Sequence, residues 1–134
     1  MGKILFVCEY NACRSQMAEG LARRLLPPTV SAESAGLYPG EVNALTIEVM
    51  REIGVDLAPH RSKRLEAVAG SEFDWLVLLA EPAVEATRGI RAKKRLHWFH
   101  PDPAKTVGDR ETIKAAIRRV RDELKTQIEE FFLK

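Results

Sequence analysis

The segment ILFVCEYNACRSQMAEG, residues 4–20, gathers the residue types that do chemistry. Four apolar residues run into Cys8, Arg14 closes a C-x5-R spacing, and Ser15 opens a run with helical periodicity. Residues 8–14 therefore read as a tight loop between a buried strand and a helix. In such a loop successive backbone N–H groups turn inward around an anion, and the helix dipole adds positive potential. The planar fork of Arg14 suits two oxygens of a tetrahedral oxyanion. Cysteine thiols beside a helix N-terminus and a cation ionise more readily than free cysteine, so Cys8 is expected as a thiolate aimed at the anion's central atom. Ser15 would donate to that sulfur, first as thiolate and later as the departing group. The expected anion cradle is Glu9, Tyr10, Asn11, Ala12, Cys13, Arg14 and Ser15. Asn11 would pin the loop from inside, because Asn tolerates the left-handed conformation. Glu9 is out of place, since a carboxylate beside an anion site repels the ligand unless it points away. C-x5-R alone is a loose pattern, and the competing reading has Cys8 as the buried end of a strand and Arg14 as a surface cation.

The elements that must hold this loop follow from periodicity. Residues 4–7 form the first strand. Met17, Ala18, Leu21, Ala22, Leu25 and Leu26 trace one face of a helix that Pro27 and Pro28 end. A second strand is expected over 29–35, then a Gly/Pro-marked loop over 36–40. Asn43 would cap a helix closed by Gly54. A short helix is expected from Ser62, a third strand over 75–79, a helical turn over 82–87, a fourth strand over 95–98 and an exposed loop over 99–108. Ile113, Ile117, Val120, Leu124, Ile128 and Phe131 step by three or four and define a closing amphipathic helix. Alternating strands and helices imply an α/β fold, a three-layer sandwich with a four-stranded parallel sheet flanked by helices, as one domain over 1–134.

The whole composition narrows the function classes. Apolar residues make up 46% and charged residues 30%, the range of ordinary globular chains. Lys and Arg exceed Asp and Glu by only 21 to 19, too little to argue for nucleic acid or a membrane surface. No apolar run reaches the length of a membrane span, and residues 4–7 are too short for a signal sequence, so the cytoplasm is the expected location. The two cysteines, Cys8 and Cys13, are too close in sequence for a useful staple. With His60, His97 and His100 they show no zinc-site spacing, so no metal is expected and a reactive thiol in a reducing compartment fits better.

At this point the chain resembles the low-molecular-weight protein tyrosine phosphatase superfamily, including its arsenate reductase branch. VCEYNACRSQMAEG resembles the family loop, SAG at 34–36 and HRS at 60–62 resemble segments that brace it, and PDPA at 101–104 resembles a loop carrying an acid. The resemblance implies a low-molecular-weight phosphatase-like fold, with Cys8 as nucleophile, Arg14 as anion clamp and Ser15 in support. It implies Asp102 as the proton donor and Asn11, Ser34, His60 and Ser62 as structural support. His97 and His100 are nearby alternatives to Asp102. Gln16 in place of a proline, HW before the Asp-Pro loop, Ala104 in place of an aromatic, and RRVRDEL before IEEFF all resemble the reductases. One feature departs: thioredoxin-coupled reductases of this kind carry two further cysteines after the third strand, and residues 76–98 contain none. Lys63 stands where some relatives place an Asp that helps to hold potassium.

The resemblance leaves three expectations. The first is arsenate reduction, in which arsenic bound to Cys8 is released as arsenite by a second thiol. That thiol is either Cys13 or, preferred here, an external one (glutathione, mycothiol or similar), with a thioredoxin- or glutaredoxin-like protein to recycle it. The second is phosphatase action on a phosphomonoester through a Cys8 phosphocysteine that water releases. The third is a non-catalytic anion-binding redox sensor using Cys8 and Cys13. No tightly bound cofactor is expected. Tyr10, Tyr38 and Trp98 are open between walling an aryl cleft and simple packing.

Overall fold

The computed structural model describes residues 2–38 and 40–134. Its centre is a parallel sheet in the order β2-β1-β3-β4, formed by β1 (Gly2–Cys8), β2 (Val30–Gly36), β3 (Glu72–Leu78) and β4 (Arg91–His97). The helices are α1 (Arg14–Leu25), α2 (Ala44–Arg51), α3 (Ala83–Ala86) and α4 (Arg110–Phe132), with 3₁₀ turns at Leu65–Ala67 and Pro103–Lys105. The expected four-stranded parallel sheet flanked by helices is present.

β1 lies between β2 and β3, and its alternation divides the core. Ile4, Phe6 and Cys8 face α1, α2 and α4, joining Met17, Leu21, Met50, Ile117, Leu124 and Ile128. Leu5 and Val7 face the other way, against Phe73, Leu76, Leu78, Ala83 and Ile90. Both faces being covered explains the unbroken apolar run. All strands are parallel, so their carboxyl ends share one edge, where α/β sheets hold ligands. Cys8 sits at that edge, in register with Gly36.

Several boundaries differ from the periodicity reading. β4 starts at Arg91 rather than 95, because it is an edge strand and tolerates charges at 91, 93, 94 and 95, all exposed. β3 starts at Glu72 rather than 75, and β2 runs on to Gly36. No helix begins at Ser62: its hydroxyl donates to Tyr10 O at 2.7 Å, and the next amide, Lys63 N, donates to Asn11 Oδ1 at 2.7 Å. Those groups serve the loop instead, and only the Leu65–Ala67 turn forms. The 99–108 segment is not wholly exposed, since Pro103 is buried. α2 is capped as expected, Thr46 N donating to Asn43 Oδ1 at 2.9 Å. On α4, Phe131 is 41% exposed, contrary to its expected inward position. Phe132 takes the packing role, with its ring 5.2 Å edge-on to Trp75. Of the loop expected over 36–40, Pro39 lies outside the described residues.

Candidate active site

The 8–14 loop leaves β1 and turns into α1 over a glycine. A Cβ on Gly36 would stand 2.7 Å from Asn11 N and 2.8 Å from Tyr10 C, so only glycine lets the loop pass so close to β2. Asn11 takes φ 52, the left-handed conformation, and is fully buried. Its side chain is completely satisfied. Nδ2 donates to Ser15 Oγ at 2.8 Å and to Ser34 Oγ at 2.9 Å. Oδ1 accepts from Lys63 N and, at 2.9 Å, from Gln16 Nε2.

These directions fix the protons around the sulfur. An amide nitrogen can only donate, so Ser15 accepts from Asn11 and keeps its own hydroxyl proton. Cys8 Sγ lies 2.9 Å from Ser15 Oγ and is the acceptor available for that proton. By the same logic Ser34 accepts from Asn11 and donates to Glu19 Oε1 at 2.7 Å. Gln16 spends Nε2 on Asn11 and on Arg61 O at 3.0 Å. Its Oε1 therefore accepts from His60 Nδ1 at 3.0 Å, and Glu19 Oε2 lies 3.2 Å from the same nitrogen. Burial pushes the His60 imidazole below its usual value, against the pull of Glu19. Arg23 and Lys63 also face Glu19, at 3.3 and 3.6 Å. The Glu19 carboxylate is thus compensated by two cations and lies against the His60 ring.

Arg14 is 3% exposed and forms the opposite wall. One terminal nitrogen donates to His100 O at 2.8 Å; the other lies 3.4 Å from Glu9 Oε1 and 3.8 Å from Asp102 Oδ2. Its Nε is buried with no hydrogen-bond partner among the described residues. A buried donor left unpaired is costly, and one beside a cavity marks a place for an acceptor. The cavity there is small, about 20 Å³, lined by Cys8, Tyr10, Ala12, Cys13, Arg14, Asp102 and Ala104. α1 opens into the same region with no side-chain cap and no acid in its first turn, which keeps its first amides available to an anion. Asp102 reaches the cavity because the Asp-Pro segment folds as a cap: Oδ1 accepts from Ala104 N at 3.0 Å, and Oδ2 faces Arg14.

Other candidate residues separate. Cys13 lines the cavity, yet it is buried and its sulfur accepts from Thr46 Oγ1 at 3.1 Å. Burial pushes it up to about 12, which keeps it protonated at neutral pH. The His100 imidazole turns away to Gln127, with Nε2 2.8 Å from Oε1, so this residue contributes a carbonyl rather than a proton donor. His97 ends β4, stacked on Phe99 at 5.1 Å. Tyr10 stands at the mouth, 5.7 Å from the Tyr38 ring and with Lys105 Nζ 5.0 Å over its own. Trp98 packs instead on Phe131 and Phe132. Glu19 was not singled out from the sequence. No sequence signal marked it, since the burial of the whole 14–22 stretch appears only in the fold.

The chain belongs to the low molecular weight phosphotyrosine protein phosphatase family, whose family model matches residues 3–134. Within that family it resembles proteins of two kinds. An arsenate reductase of Halalkalibacterium halodurans is 36% identical over 129 residues, covering 96% of this chain and 93% of the relative. Among solved structures, an arsenate reductase in its oxidized state superposes with a TM-score of 0.84 at 27% identity, covering 97% and 95% of the two chains. The Vibrio vulnificus protein Wzb, solved in complex with benzylphosphonate, gives 0.74 at 28% identity over 96% and 97%. No described helix is long and apolar enough to cross a membrane.

Proposed function

We propose that this chain is an arsenate reductase that uses an external thiol. The observation that carries the reading is one small cavity lined both by Cys8, whose Sγ is hydrogen-bonded to Ser15, and by Arg14, whose Nε has no hydrogen-bond partner among the described residues. Arsenate binds with its oxygens on that guanidinium and on the amides of the 8–14 loop. The Cys8 thiolate attacks arsenic, and Asp102 protonates the oxygen that leaves, giving a sulfur–arsenic(V) adduct. An external thiolate then attacks Cys8 Sγ. A disulfide forms, the sulfur–arsenic bond breaks, and its electron pair passes to arsenic, which leaves as arsenite. The mixed disulfide on Cys8 is returned to thiol by a further thiol or a thioredoxin- or glutaredoxin-like protein.

The external thiol is favoured by the state of Cys13. A buried thiol held by Thr46 and pushed up to about 12 is a poor nucleophile for resolving Cys8. The free state of both cysteines suits a reducing compartment, the cytoplasm. The assignment to arsenate rests on the arsenate reductase relatives that match along nearly the whole chain. Phosphate ester hydrolysis is the second reading, favoured by the family match itself. It begins with the same attack and ends when water, deprotonated by Asp102, releases phosphate.

The deciding experiment supplies purified protein with arsenate plus glutathione, mycothiol and a redoxin in turn, and separately with p-nitrophenyl phosphate. Arsenite is expected with at least one thiol system, and Cys8→Ser should abolish it. Asp102→Asn should slow turnover by about 10²–10⁴-fold. Rapid ester hydrolysis with no arsenite would replace the first reading by the second.

A further inference from the structure

Glu9 does nothing in the chemistry above, yet it follows the nucleophile and touches the arginine on which the anion must sit. We infer that Glu9 is an internal counter-ion of Arg14, one that an incoming oxyanion displaces and that thereby sets how tightly the site holds its ligand. The inference rests on the 8–14 loop being the oxyanion site.

Three features separate Glu9 from the other groups on Arg14. Its main chain is fixed, because its carbonyl accepts from Leu37 N at 2.7 Å and Tyr38 N at 2.9 Å, so only the side chain is free to move. That side chain is 24% exposed against 4% for Arg14, so the carboxylate can swing into water where the guanidinium cannot. Its contact of 3.4 Å is longer than the about 2.7–2.9 Å of a strong charge-assisted bond, while the His100 carbonyl holds Arg14 at 2.8 Å. Asp102 has a second anchor on Ala104 N, and no hydrogen bond other than that to Arg14 holds the Glu9 carboxylate among the described residues.

Two carboxylates therefore face one guanidinium. A bound oxyanion brings further negative charge, and the carboxylate with the weakest hold leaves. Glu9 then competes with every oxyanion for Arg14 at the high effective concentration of an intramolecular group. On departure of the product it returns to the guanidinium. This gives a role to the acid that looked misplaced in the sequence.

The test titrates inorganic phosphate calorimetrically into wild type, Glu9→Gln and Glu9→Asp, with thermal unfolding followed in parallel. Glu9→Gln should bind phosphate about tenfold more tightly at low salt. Glu9→Asp, whose carboxylate is drawn back by one methylene, should fall between the two. The gain should shrink at about 1 M salt, where the screening length falls to about 3 Å. A purely structural role predicts weaker binding in both variants. Equal or weaker binding in Glu9→Gln, with wild type still binding, overturns the inference and leaves the proposed function standing. Phosphate binding by none of the three overturns both.

Discussion

Replacing Asn11 isolates what holds the 8–14 loop in shape. Asn11→Ala removes four hydrogen bonds at a site with no solvent access: two donated to Ser15 and Ser34, two accepted from Gln16 and Lys63. At a net about 1 kcal/mol each, they account for about 4 kcal/mol. Alanine at φ 52 costs about 1 kcal/mol more, because asparagine is tolerated in the left-handed region and alanine is not, while glycine is free of the strain altogether. The expected loss of about 5 kcal/mol is comparable with the lower end of a domain's total stability of about 5–15 kcal/mol. Asn11→Gly loses the same bonds without the strain, so it should be about 1 kcal/mol better than alanine. Urea unfolding at pH 7 measures both, with unchanged m-values as the condition for reading the shift as stability. The same variants should alter the rate at which iodoacetamide alkylates Cys8, because Ser15 loses the donor that orients its hydroxyl. An alanine variant within about 1 kcal/mol of wild type, or a glycine variant no better than alanine, would refute this account.

Three further outcomes follow from the geometry. Gly36→Ala drives a methyl group to within 2.7–2.9 Å of the loop backbone at Glu9, Tyr10 and Asn11, so urea unfolding should register a loss of about 1–3 kcal/mol. Cys13 should resist iodoacetamide at pH 8 while Cys8 reacts, as peptide mass mapping would read. Its folded value of about 12 lies above the ordinary 9.0, so the neutral thiol's contribution, about 4 kcal/mol, is whole below pH 9 and lost progressively up to about pH 12. Cys13→Ser should flatten that alkaline decline in unfolding experiments. Glu52 accepts from Arg118 and Arg121 of α4, and those hydrogen bonds lower its carboxyl from 4.5 to about 2. A lowered carboxyl stabilises above its unfolded value and loses that effect as pH falls, so Glu52→Gln should remove part of the acid destabilisation between pH 4.5 and 2. That part should be under about 1 kcal/mol, because the group is largely exposed.

The sequence revealed the sheet and the loop because both are periodic or dense in special residues. β1 and the core of β3 read as strands from unbroken apolar runs, and α1 from its apolar spacing. β4 was half-hidden, since Arg91, Lys93 and Lys94 look like a solvated turn and are legible as strand only once its edge position is known. At the end of α4 two adjacent phenylalanines differ by one helical step, and only the position of Trp75 decides that Phe132 turns inward. Within the site, Cys8, Asn11, Arg14 and Asp102 carry distinctive side-chain types. The hold of His100 on Arg14 could not be read, because it is made by a carbonyl that every residue has. Glu19 was equally hidden: its partners Ser34, His60 and Lys63 are scattered along the chain, and only folding brings them to one carboxylate.

The bond from Arg14 to His100 spans 86 positions of sequence. During synthesis the loop is made within the first sixteen residues, and the carbonyl that steadies its guanidinium follows only after about 4–17 s at about 5–20 residues per second. For that interval the loop lacks the carbonyl that fixes its arginine. The guanidinium thus takes its final place only once the segment carrying His100 has joined the fold, so the completion of the site depends on one of the later-made parts of the chain.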